Sequence, residues 1–125
     1  YIRFQFLKAF GRKISAAPKA ALPIVTFSDG VTFHLNGETI RVFHAPNAHT
    51  SGDSIAHFVD ADVIHIADTY LNGFYPFIDF QHGGTMEGMI AIAEKVIAMA
   101  GPKTRIVLGH GPLSNRADLM KYRIC

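Results

Sequence analysis

Hydrophobic and polar positions change period several times along these 125 residues. Val31, Phe33 and Leu35 alternate with Thr32 and His34, the period of two expected of a half-buried strand. Asn36-Gly37 then offers the two positive-φ positions of a type I′ turn, and Glu38 to Ala45 returns with Ile40, Val42 and His44 on one face, so a hairpin is predicted. Upstream, Ile24-Val25-Thr26-Phe27 is β-rich between Pro23 and the turn signal Ser28-Asp29-Gly30, and predicts another strand. Downstream, residues 55–59 and 63–67 form two apolar runs with only Asp60-Ala61-Asp62 between them, which predicts antiparallel neighbours. On the second run Ile64, Ile66 and Asp68 share a face while His65 points the other way, placing a carboxylate at the end of the buried face.

Helical periods occupy the two ends and the middle. Tyr1, Phe4, Leu7 and Phe10 recur at helix-like spacing with Arg3, Lys8 and Arg12 off the stripe, predicting a short amphipathic helix that Gly11 and the stretch around Pro18 end. Thr85 caps a predicted helix to about Ala100, with Glu87 in its first turn and Met86, Met89, Ile90, Ala93, Val96, Ile97 and Ala100 as its apolar face. Gly101-Pro102 stops it. Thr104 to Leu108 reads as a last strand, and Ser114 or Asn115 caps a helix through about Tyr122. Residues 69–83 remain as a long loop bearing Tyr70, Phe74, Tyr75, Phe77 and Phe80, and structureless connections of that length are more often functional than idle. The expected class is α/β, one domain over 1–125 with 1–21 as helix and linker, about six strands in a mainly antiparallel or mixed sheet and two or three helices on one face.

Composition narrows the function classes. With 49% hydrophobic and 18% charged residues the chain buries a core and is no disordered tail. A net charge of +2 is too small to argue by itself for nucleic acid or an anionic membrane, neither of which is expected as a partner, and no apolar run reaches the roughly 18 residues of a membrane span. Arg3, Lys8, Arg12, Lys13 and Lys19 all precede the first acid, Asp29, yet this basic start reads more simply as a joining helix than as a transit peptide or membrane-surface helix. The lone Cys125 permits no internal disulfide and leaves the compartment, cytoplasmic or periplasmic, open.

Candidate chemistry gathers at three strand ends. His49 stands in Ala48-His49-Thr50-Ser51-Gly52-Asp53, Asp68 in Ile66-Ala67-Asp68-Thr69, and His110 in Leu108-Gly109-His110-Gly111-Pro112. Imidazole and carboxylate suit zinc, manganese or iron, and strand-end loops are where a rigid sheet displays a site. A carboxylate just past an apolar strand has to be solvated, paired or metal-bound; the bland alternative for Asp68 is an exposed loop cap, and for His110 a loop histidine between two glycines. Asp53 either orients the His49 loop or accepts a hydrogen bond from the ligand imidazole. Tyr70, Asn72, Tyr75 and His82 are candidates to position a substrate, or simply cover the core edge. His34, His44, His57 and His65 lie within strands and read as surface or hydrogen-bonded histidines. No G-x-S-x-G elbow or phosphate loop is present.

The ordered triple of H-T-x-G-D, A-D-T and G-H-G resembles the second half of a metallo-β-lactamase-fold hydrolase, including its glyoxalase II-like branch, from about Leu22 to about Arg123. The resemblance implies His49 on one metal, His110 on the other and Asp68 bridging them. It also implies a hydrolase in which two metals activate a water that attacks an ester, thioester, amide or phosphoester of a small molecule. The family's upstream His-x-His-x-Asp-His motif has no counterpart here, since no two of the histidines at 34, 44, 49, 57, 65, 82 and 110 are separated by one residue. The expectation is therefore the C-terminal half of an αββα sandwich, a fragment or truncated form that binds zinc weakly, is inactive alone, and associates as a homodimer or with a complementing N-terminal half. A non-catalytic half-fold module for binding or assembly is the alternative.

Overall fold

The computed structural model describes residues 5–7, 12–14 and 16–124. Strands β1 (Gln5–Leu7) and β2 (Arg12–Ile14) pair antiparallel as a separate two-stranded sheet. The N-terminal helix expected there is thus not formed over its described part; Tyr1, Phe4 and Phe10 lie outside the described residues. In the sequence, Ile2, Phe4 and Phe6 also alternate with Arg3 and Gln5, and over so short a run this period of two competes with the helical one. Residues 16–29 are exposed and irregular except for a 3-10 turn at Lys19–Ala21. The strand expected at 24–27 does not form, because a β-rich run needs a partner edge and Ile24 stands fully exposed with none.

The main sheet has six strands in the order β3-β4-β5-β6-β7-β8. β3 (Gly30–Leu35) and β4 (Glu38–Ala45) form the expected hairpin, with Asn36 at φ 53° and Gly37 at φ 76° as a type I′ turn demands. β5 (Asp53–Phe58) and β6 (Val63–Ala67) are antiparallel neighbours. The helix α1 (Met86–Met99) carries the chain back across the sheet, so β7 (Arg105–Leu108) joins β6 in parallel. A two-residue β8 (Ser114–Asn115) leads into α2 (Arg116–Ile124), where the Asn115 side-chain oxygen accepts from Asp118 N at 3.0 Å as the cap.

Register shows which face each residue takes. Phe43 stands opposite Ile55, His57 opposite Ile64 and Ile64 opposite Ile106, so these share one face. On that face Ala45, Ile55, Ile64, Ile66, Ile106 and Leu108 are buried with Met89, Ile92, Ala93, Val96 and Ile97 of α1 and Leu119 of α2. Each fully buried aliphatic side chain contributes roughly 1.5–3 kcal/mol. The helix face is turned slightly from expectation: Ile92 is buried, while Met86 and Ile90 are exposed. Val31, Phe33, Leu35, Ile40, Val42, Ala56, Phe58, Val63 and Val107 occupy the other face, and none of them is buried. Two helices, both on the first face, leave the second without cover among the described residues. No helix among them is long and apolar enough to cross a membrane.

Candidate functional site

The ends of β6 and β7 bring two of the three expected residues together. Pairing between these strands slips by a bulge between His65 and Ala67, and Ala67 turns into the left-handed region at φ 50°. The turn is held by Thr69 Oγ1 donating to Ile66 O at 2.6 Å and by Gly109 N donating to Ala67 O at 2.9 Å. Asp68 is thereby thrown out beside the loop after β7, with its Oδ1 3.6 Å from His110 Nε2. Gly109 makes that approach possible, since a Cβ there would overlap the Asp68 carboxylate. Both side chains reach solvent, Asp68 at 40% and His110 at 78% exposure.

His49 is presented by the loop after β4, anchored by the fully buried Ala45 and Ala48. Its Nδ1 lies 2.8 Å from Phe77 O. A carbonyl can only accept, so Nδ1 carries an N–H, which in the neutral ring leaves the lone pair on Nε2, the tautomer of a ligand imidazole. Asp53 is not the acceptor for His49, as one expectation had it. Its carboxylate faces back onto its own loop, taking Thr50 N at 2.7 Å and Thr50 Oγ1 at 3.1 Å, because three residues after Thr50 it closes a local turn more readily than it reaches the ring. The 77–85 segment is stitched to this loop from the other side: Asp79 N donates to His49 O, Ser51 N to His82 O, and the Asn47 amide to Gly83 O, each at 2.9 Å. Thr85 both caps α1, accepting from Gly88 N at 3.0 Å, and donates to Asn47 O at 2.8 Å.

His82 Nδ1 donates to Asp79 Oδ2 at 2.6 Å. Burial pushes the Asp79 carboxyl up, but the hydrogen bond and charge of His82 outweigh it and hold the group below its ordinary value. Of the other substrate-loop candidates, Tyr70 is buried and bonds Ser114 Oγ at 2.9 Å, so it belongs to the core; Asn72 and the exposed Tyr75 border a cleft against α2. Among the described residues no three His, Cys, Asp or Glu side chains stand close enough together to hold a metal ion. Asp68 and His110 are a partial donor set, short of the three protein ligands of a catalytic zinc.

Comparison with solved structures decides the fold. A metallo-β-lactamase from Pontibacter korlensis superposes with a TM-score of 0.67 at 16% identity, over 82% of this chain and 49% of its own. The B3 metallo-β-lactamase BLEG-1 gives 0.67 at 23% identity, over 93% and 53%. The chain has half of a metallo-β-lactamase fold. TTHA1623 in a di-iron-bound form agrees, with a TM-score of 0.68 at 22% identity over 92% of this chain and 53% of its own. The chain thus spans about half the length of the structures it matches. No family profile and no curated protein sequence matches it.

Sequence reasoning missed the Phe77 carbonyl, the Asp79–His82 pair and the turn at Ala67. Backbone acceptors carry no residue-type signal, and alanine gives no hint of positive φ. Asp79, three residues before His82 in a loop, was the one readable sign.

Proposed function

We propose that the chain supplies one half of the site of a metal-dependent hydrolase of the metallo-β-lactamase type, acting on an ester, thioester, amide or phosphoester of a small molecule. The observation that carries this reading is the Asp68–His110 approach of 3.6 Å at the ends of β6 and β7. A metallo-β-lactamase fold supports it, as does the bond of His49 Nδ1 to Phe77 O, which in the neutral ring directs the lone pair to Nε2. Asp68, His110 and His49 are the residues that would hold metal, their imidazoles and carboxylate suiting zinc, manganese or iron. When bound, such a metal supplies a nucleophilic hydroxide from water near neutral pH. The chain's own contribution is to hold two donors at one sheet edge and fix the His49 tautomer. The remaining ligands and the cover for the open sheet face come from a complementing N-terminal half.

Metal uptake tests this. Dialysed against zinc, the chain should take up less than one tightly held equivalent, and Asp68→Ala or His110→Ala should abolish what is bound. It should show no zinc-dependent turnover of generic esters alone. A full equivalent surviving both substitutions would place the metal elsewhere. One observation favours a second reading, a non-catalytic assembly module: the described residues contain no complete donor cluster, whereas an apolar sheet face stands open.

A further inference from the structure

A cleft of about 530 Å3 opens between residues 70–76 and α2, within the roughly 300–1,000 Å3 of small-molecule sites. Its floor is the buried Tyr70 and the half-buried Tyr122, whose rings meet edge to face with centroids 4.7 Å apart. Its rim is Phe74 and Tyr75, which stand 68% and 87% exposed. Aromatic rings left open at the mouth of a cleft are a surface awaiting an apolar occupant.

The charges on its wall are already spent on each other. Lys121 Nζ lies 3.2 Å from Asp118 Oδ1, and the Asn115 amide holds the second Asp118 oxygen at 2.8 Å. The Tyr70 hydroxyl is bonded to Ser114. Burial raises both phenols, Tyr122 to about 12, so both are neutral at physiological pH. An anionic ligand would meet the Asp118 carboxylate beside a Lys121 ammonium that this carboxylate already partly neutralises. A neutral aromatic ligand meets ring faces and the Asn72 side.

The cleft also adjoins the candidate site. Asn72 lines it, and the Asn72 backbone runs against Gly111, where a Cβ would lie 3.6 Å from Asn72 O; Gly111 directly follows His110. We propose that this cleft seats an uncharged aromatic group of the substrate, with the bond to be cleaved at the Asp68–His110 edge. This rests on the reading of Asp68 and His110 as a half-site, and it names the substrate class as neutral aryl or arylalkyl compounds.

Calorimetric titration of the chain with 2-naphthol and with 2-naphthoate separates the possibilities without needing metal or turnover. Expected are saturable binding of 2-naphthol and binding of 2-naphthoate weaker by about tenfold or more. Tyr75→Ala and Phe74→Ala, both at exposed rim positions that leave the core intact, should each weaken 2-naphthol by about fivefold or more. Asp68→Ala should leave 2-naphthol binding unchanged. Naphthoate binding as tightly as naphthol, no naphthol binding, or rim variants that bind like the parent would each overturn the assignment. A full zinc equivalent that survives Asp68→Ala and His110→Ala beside intact naphthol binding would sink the half-site reading alone, and absent naphthol binding beside zinc uptake that those variants abolish would sink the cleft alone.

Discussion

At φ 50° Ala67 holds a conformation that costs a non-glycine residue roughly 1–2 kcal/mol, directly before the carboxylate of the candidate site. Among the described residues the other positive-φ positions outside glycine are Asn36, Asn47 and Asp62, types that tolerate this region, so Ala67 is the one of these four whose residue type does not favour it. Relieving it is a direct test. Ala67→Gly should raise stability by up to about 1 kcal/mol, the lost strain being partly offset by the greater freedom of glycine when unfolded. Ala67→Val should lower it by about 2 kcal/mol, since a β-branched residue tolerates this region least. Denaturant midpoints at unchanged slope read both, and equal midpoints for all three proteins would mean the turn is unstrained. The strand-end placement of Asp68 and His110 was readable because it follows from where apolar alternation stops. That the two meet was not, because it depends on a slipped register and on Gly109 leaving room for the carboxylate.

Among the elements, α1 shows why faces are harder to read than periods. Its sequence is apolar nearly all round, so Ile90 and Ile92 compete for the stripe, and only the sheet beneath decides for Ile92. β3, β4 and the caps of both helices were legible because turn and cap chemistry are local. α2 is fixed by Leu119 and by Tyr122 against Tyr70, and burial pushes the Tyr122 phenol up to about 12 from its ordinary value of 10.0. A raised acid favours the protonated, folded form. Its contribution is therefore fully present below pH 10.0, and is lost as pH rises through the folded value of about 12. Tyr122→Phe keeps the ring and removes the ionisation, so the variant should lose less stability than the parent between those limits. Denaturation midpoints stepped across that range measure it; parallel alkaline losses in the two proteins would assign the sensitivity to other groups.

The whole molecule raises the question of what lies on its second sheet face. Alternation in β3 to β7 predicted two faces without saying which the helices take; the structure puts α1 and α2 opposite Val31, Phe33 and Leu35. Phe33 and Leu35 remain 40% and 59% exposed. The surface is 8463 Å2, where a folded monomer of 13.7 kDa would expose about 6,600 Å2. Part of the excess is the exposed segment 16–29, and the open sheet face adds nine apolar side chains of which none is buried. The matched structures are about twice as long, and a second layer is what the proposed hydrolase needs there. Without that layer a second copy of the chain is the available substitute, because the face is largely apolar and its two charged residues, Glu38 and Arg105, are of opposite sign. Light scattering over a dilution series should therefore find association at micromolar concentration, through an interface of about 2,000 Å2 or more in total. Phe33→Lys with Leu35→Lys should reverse it, because both are exposed and their replacement leaves the helix-covered core untouched. A monomer at every concentration, unfolding cooperatively at a midpoint independent of dilution, would show that the open face needs no cover and would remove the main support for a complementing half.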